Sequence, residues 1–198
     1  MAGEQEAAIT TALAAADVTA ATRLTLELYG PQIHGYLVAV MRAQTAADDA
    51  FALFAEDVWR GLPGFRGGSS VRTWAYKLAW HAALRVRRDP FARRGRRLET
   101  DEISALADRI TAAASAQARR DLADRVHQLR ESLTPEERTL LVLKIDRELT
   151  WREIAEVMSE PRKPVDEATL RKRFERLTEK LRRLAIEHGL LESPDHHE

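Results

Sequence analysis

Apolar positions recur at helical spacing along most of the chain, and no stretch alternates Val, Ile, Thr and aromatic residues with period two. Starting from Asp17 as a cap, Ala21, Leu24 and Leu28 share one face, and Gly30-Pro31 is expected to break that helix. Pro31 suits the first turn of the next one, which carries Ile33, Tyr36, Leu37, Val40 and Met41 on a buried face. Thr45-Ala-Ala-Asp48 has the pattern of a capping box and opens a third helix, with Phe51, Phe54, Ala55, Val58 and Leu62 inward. The run Leu-Pro-Gly-Phe-Arg-Gly-Gly-Ser-Ser at 62–70 reads as a loop. Ser69 or Ser70 then caps a fourth helix, with Val71, Trp74, Ala75, Leu78 and Ala82 as its core stripe, ending near Asp89-Pro90.

Beyond that point large apolar residues thin out, and an Arg-rich segment at 91–97 gives way to acidic and alanine-rich sequence. Helical spacing returns at Leu122, Val126, Leu129 and Leu133. Thr134-Pro-Glu-Glu137 and Thr150-Trp-Arg-Glu153 are helix starts with Thr as cap and Glu three residues on. Leu140-Leu-Val-Leu143 is apolar almost all round and predicts a central helix; Ile154, Ala155 and Met158 face inward on the next, short one. From about Asp166, Leu170, Phe174, Leu177, Leu181 and Leu184 form one narrow seam, with Ala168, Lys172, Glu175, Arg176 and Arg183 away from it and Arg171 on its flank. The expected fold class is therefore all-α, two small helical domains joined by a linker. The expected divisions are a tail over 1–16, a domain over 17–89, a linker over 90–121, a domain over 122–186 and a tail over 187–198. A short helix, a turn and a longer helix with a cationic outward face make the second domain a helix-turn-helix.

Composition supports this and narrows the function. The 198 residues are 44% hydrophobic and 31% charged, with 6% aromatics, and long Ala-, Leu-, Glu- and Arg-rich runs favour helix. There is no cysteine, which excludes disulfides and thiolate chemistry and fits a cytoplasmic protein. The N-terminal stretch lacks the basic start and apolar centre of a signal peptide, and the apolar run 36–41 is far short of the ~20 residues that a membrane helix needs. A soluble chain without membrane insertion is expected. The 31 basic and 31 acidic residues cancel, but their distribution is uneven. Residues 60–98 hold eleven basic residues against one acid, and residues 161–184 hold nine against four. Two basic blocks in acidic surroundings suit two phosphate-contacting surfaces; solvated helix faces are the alternative.

Two segments carry a family resemblance. Phe65-Arg-Gly-Gly-Ser-Ser-Val-Arg-Thr-Trp-Ala-Tyr-Lys-Leu-Ala-Trp-His-Ala-Ala-Leu-Arg-Val-Arg-Arg88, with Ala47-Asp-Asp49 and Trp59 at matching spacing, resembles the promoter-melting domain of the extracytoplasmic-function sigma factors. Leu133-Thr-Pro-Glu-Glu-Arg138 and Leu149-Thr-Trp-Arg-Glu-Ile-Ala-Glu-Val-Met158 resemble the same family's second domain. Departures are Ala52-Leu53 for the family's Gln-Glu, Trp80-His81 for Arg-Asn, and a longer turn between Met158 and Thr169. The resemblance implies a non-enzymatic subunit that binds core RNA polymerase, melts promoter DNA at the minus-ten element and reads the minus-thirty-five element. It also implies an anti-sigma protein as a partner. A helix-turn-helix regulator acting on duplex DNA without polymerase is the alternative, and a helical hydrolase or binding enzyme a more distant one. No nucleotide-binding, zinc or hydrolase motif is present, and neither cofactor nor metal is expected; His196-His197 lies on a polar tail.

The candidate melting residues are Arg66, Ser69, Ser70, Tyr76, Lys77, Trp80, His81, Arg85 and Arg88. Trp80 and Tyr76 sit off the expected stripe among cations, the composition of a surface that stacks single-stranded bases, with domain packing as the alternative; Trp74 is assigned to the core. The loop 66–70 is small enough to bring amides and hydroxyls to a splayed-out base, which the family's loop captures, unless it is a plain connection. Asp48 and Asp49 either favour a helix start electrostatically or, as the resemblance implies, face polymerase. Thr169, Arg171, Lys172, Glu175 and Arg176 are the candidate reading residues of the last helix.

Overall fold

Local caps and the burial of apolar faces set the elements. The computed structural model describes residues 2–89, 101–118 and 132–187, and every element among them is helical. They fall into two units, Met1–Arg120 and Asp121–Glu198.

The first unit contains α1 (Ala2–Ala14), α2 (Val18–Met41), α3 (Gln44–Gly61), α4 (Val71–Arg88) and α5 (Asp101–Ala118). All four other helices pack on α2. Asp17 starts that helix as expected, its side chain accepting the N–H of Ala20 at 2.8 Å. The break expected at Gly30-Pro31 does not occur, and α2 runs through both residues. Pro31 is exposed and forfeits one intrahelical hydrogen bond, a loss that packing on both sides of it offsets. Gly30 serves the packing instead: a Cβ there would lie 2.8 Å from Ile110 Cδ1, so the missing side chain lets α5 close on α2. Packed by four helices, α2 buries Ala21, Thr25, Leu26, Tyr29, Ile33, Tyr36, Leu37 and Val40, and Leu24 and Leu28 are only half-buried.

Two segments outside the expected domains also carry packed helices. Residues 1–16 are not merely a tail, since α1 packs on α2 with Ile9 fully buried. The expected linker contains α5, whose Ile103, Leu106 and Ala107 are buried and which packs on α2 and α3. The inward residues of α3 are as expected: Phe51, Phe54, Ala55, Val58 and the following Leu62 are all buried. Its start differs, because Ala43 precedes it without a side-chain cap.

The second unit contains α6 (Pro135–Leu141), a π-helical turn (Val142–Asp146), α7 (Trp151–Met158) and α8 (Glu167–Glu187). Both expected capping boxes are present, Thr134 with Glu137 and Thr150 with Glu153. Leu140, Val142, Leu143, Leu149, Ile154, Val157, Leu170 and Leu177 are buried together with Leu133. Arg138 is buried too, its Nε–H donating to the Leu133 carbonyl at 3.2 Å. Lys180 of α8 donates to both Glu137 carboxylate oxygens, at 3.0 and 2.8 Å. Trp151 meets Phe174 edge-on at 5.5 Å, joining α7 to α8. The Arg-rich segment 91–97, Leu122, Val126, Leu129 and the tail from 188 lie outside the described residues.

Candidate nucleic-acid interface

The start of α4 is held from two directions. Ser70 caps it, its Oγ accepting the N–H of Thr73 at 3.0 Å. The N–H of Val71 donates to the Glu6 carboxylate of α1 at 2.9 Å. Two of the helix's orphan donors are thereby satisfied, and the loop before it is tied down. Within that loop Gly67 takes the left-handed φ of 71° that favours glycine. Arg66, Gly67, Gly68 and Ser70 are exposed, and Phe65 and Ser69 half-buried. The loop and α1 flank an open cleft of about 660 Å³, lined by Glu6, Thr10 and Leu13 on one side and Arg66, Ser69 and Ser70 on the other.

The aromatic assignment on α4 is reversed. Tyr76 is fully buried and Trp80 is 3% exposed; Tyr76 packs edge-on against Tyr36 at 5.6 Å. Neither offers a face for stacking bases. Trp74, expected in the core, is half-buried and touches Phe65 at 5.3 Å between centroids. Leu78, also assigned to the core, is half-buried. The outward stripe of α4 therefore runs Trp74, Lys77, Leu78, His81, Arg85 and Arg88, none of them buried. Val71, Ala75 and Ala82 of the expected stripe are buried, but the buried arc extends from them through Ala79, Ala83 and Tyr76 to Trp80, so it is broader than the expected stripe and rotated away from Trp74 and Leu78. Phe65, Trp74 and Glu6 stand at the candidate site without being among the residues expected there. Trp74, Lys77, His81, Arg85 and Arg88 recur at helical spacing, the signal by which that stripe is found.

Not every cation of this region carries free charge. Arg85 pairs with Asp57 of α3, and Arg60 with Glu56 at 2.7 Å. Lys77 and Arg66 make no ion pair among the described residues. Behind the loop, burial first and then the Glu6 charge push the Tyr29 phenol up from 10.0 to about 12, and Glu6 also accepts its hydrogen bond. Asp48 does not cap α3. Its Oδ1 accepts from Nε2 of the buried His34 and from Nε2 of Gln44, each at 2.8 Å. Asp49, beside it, is half-buried.

In the second unit the candidates divide. Lys172, Glu175 and Arg176 are exposed on α8. Thr169 is half-buried, its N–H and hydroxyl both donating to Asp166, at 2.8 and 2.9 Å. The hydrogen bonds from Thr169 hold the Asp166 carboxyl below its usual range. Arg171 pairs with Glu167 at 3.0 Å and lies 5.4 Å from the Trp151 ring centre, so its charge is partly engaged at home. The long turn before α8 is closed by backbone bonds between Glu160 and Lys163, 3.2 Å one way and 2.9 Å the other.

Among the described residues no helix is long and apolar enough to cross a membrane, and no cluster of His, Asp or Glu could hold a metal ion. Against known proteins, residues 25–94 match the family model described as Sigma-70 region 2. That span begins within α2 and covers α3, the loop and α4. No curated protein matches, and no solved structure does. Over these residues the chain is similar to region 2 of the sigma-70 family, the part of those proteins that binds core RNA polymerase and promoter DNA.

Proposed function

We propose that the chain is an RNA polymerase sigma factor of the extracytoplasmic-function type, working in the cytoplasm. The observation that carries this reading is the Sigma-70 region 2 match over residues 25–94. The first unit docks on core polymerase through the surface around Asp48 and Asp49. It engages the minus-ten element through the loop 65–70 and the outward stripe of α4. Cations there attract phosphate without regard to sequence; unpaired bases need a pocket and an aromatic face as well. The cleft beside Ser69 and Ser70 offers the first and the Phe65–Trp74 pair the second. Tyr76 and Trp80, being buried, act by holding α4 in place.

In the second unit α7, the turn and α8 act as a helix-turn-helix that reads the minus-thirty-five element, with Lys172 and Arg176 at the base edges. An anti-sigma protein that covers the polymerase-binding surface is the regulator this reading implies. The test is to mix the purified chain with core polymerase and follow co-elution and permanganate reactivity of promoter thymines. Co-elution with promoter-specific melting is the expected result. Sequence-specific binding of duplex DNA with no affinity for polymerase would instead make the chain a conventional helix-turn-helix regulator.

A further inference from the structure

We infer that the turn between α7 and α8 is a second grip on DNA, with Arg162 and Lys163 contacting the sugar–phosphate backbone beside the groove that α8 enters. The inference rests on the proposed helix-turn-helix reading of the second unit. Four observations carry it. The turn is a built feature rather than slack chain. Glu160 and Lys163 exchange both backbone hydrogen bonds, leaving Pro161 and Arg162 at the tip. Ser159 clasps its base, the Val165 N–H donating to Ser159 Oγ at 3.0 Å. Pro161 and Pro164 further reduce the conformations open to it.

The turn also covers no core, since residues 161–164 are all exposed. A preorganised segment that buries nothing gains little for the fold, so its rigidity serves what it presents. It presents positive charge. Glu167 is paired with Arg171, Asp166 is turned to the N–H and hydroxyl of Thr169, and Glu160 is engaged within the protein. Arg162 and Lys163 make no ion pair among the described residues. Finally, the turn leads directly into α8, where Lys172 and Arg176 are exposed. An Arg and a Lys held on a fixed turn beside the reading helix lose little backbone freedom on meeting phosphate.

The test uses holoenzyme assembled from the full chain and core polymerase. Duplex affinity is measured from 50 to 200 mM KCl for a preferred upstream sequence and a scrambled one. Each phosphate contact adds ~0.9 to the slope of log K against log salt, so Arg162→Ala with Lys163→Ala should lower that slope by ~1.8 on both duplexes. Over this salt range the wild type should then lose roughly tenfold more affinity than the double variant. The preference for one sequence over the other should be unchanged, and Arg162→Lys with Lys163→Arg should restore the slope. An unaltered slope overturns the inference. So does a variant whose defect is a loss of core polymerase at unaltered slope, which would make the turn a protein contact. Lys172→Ala with Arg176→Ala reports on the underlying reading: if it leaves sequence preference intact, α8 is not the reading helix, while the slope still decides the role of the turn.

Discussion

Glu6 caps a helix that begins sixty-five residues later in the chain, its carboxylate accepting the N–H of Val71 at 2.9 Å. The same carboxylate accepts the Tyr29 phenol, so one side chain of α1 joins α2 and α4 at the edge of the loop. Glu6→Gln keeps the shape and removes the charge. Since burial is the larger cause of the raised Tyr29 value, that value should fall only part of the way from about 12 towards 10.0. A folded value above the unfolded one stabilises the fold fully below about pH 10, and that contribution is lost as pH rises to about 12. The variant should accordingly show a narrower loss across this window, read by ultraviolet difference titration and by urea midpoints at each pH.

Trp80 and Trp74 should respond in opposite ways. Trp80→Ala empties a core site and should cost ~3–5 kcal/mol of unfolding free energy. Trp74→Ala, on the outward stripe, should cost well under half of that and leave initial duplex binding by holoenzyme near normal. Its defect should appear in open-complex formation, with a premelted promoter bubble restoring much of the loss. Urea denaturation and permanganate footprinting separate the two; equal stability losses would place Trp74 back in the core.

Acid should loosen the second unit through Glu137. Burial raises its carboxyl, but the hydrogen bonds from Lys180 and Thr134 outweigh this and hold it below 4.5. A lowered folded value gives stability that is present above about pH 4.5 and is lost as pH falls through the folded value. Lys180→Met should flatten that part of the acid unfolding curve, monitored by the near-ultraviolet signal of Trp151.

Gly30 should tolerate a methyl group and nothing larger. In Gly30→Ala the new Cβ meets the flexible end of Ile110, and the helix propensity gained, ~1 kcal/mol, offsets the shift. Gly30→Val should push α5 outward at a cost of ~1–3 kcal/mol. Faster amide exchange across 101–118, with α3 and α4 still protected, is the expected signature.

Much of the fold was legible because caps and large apolar residues declare themselves. Asp17, Ser70, Thr134 and Thr150 all cap where the sequence places them, and the inward side of α3 is as its Phe residues predict. What failed shares a cause. Gly30-Pro31 has the composition of a breaker, yet helices packed around α2 hold it through both residues. On α4 the buried arc runs from Val71 and Ala75 through Ala79, Ala83 and Tyr76 to Trp80, set by the helices that pack on it and rotated away from Trp74 and Leu78. Glu6 was invisible for another reason: no local rule links a carboxylate to an N–H so distant in sequence. At the candidate site, then, the loop and its cations were readable. Which aromatic faces outward, and which cations are already paired, depend on neighbouring helices.

The docking of α5 bears on where the chain can be cut. The Sigma-70 region 2 match ends at residue 94, yet Ile103, Leu106 and Ala107 of α5 are buried and Ile110 packs at Gly30. A fragment trimmed at the end of the match would expose the apolar faces of α2 and α3 that this helix covers, and should self-associate at concentrations where the intact chain does not. A fragment ending at residue 120 keeps the lid on its own core.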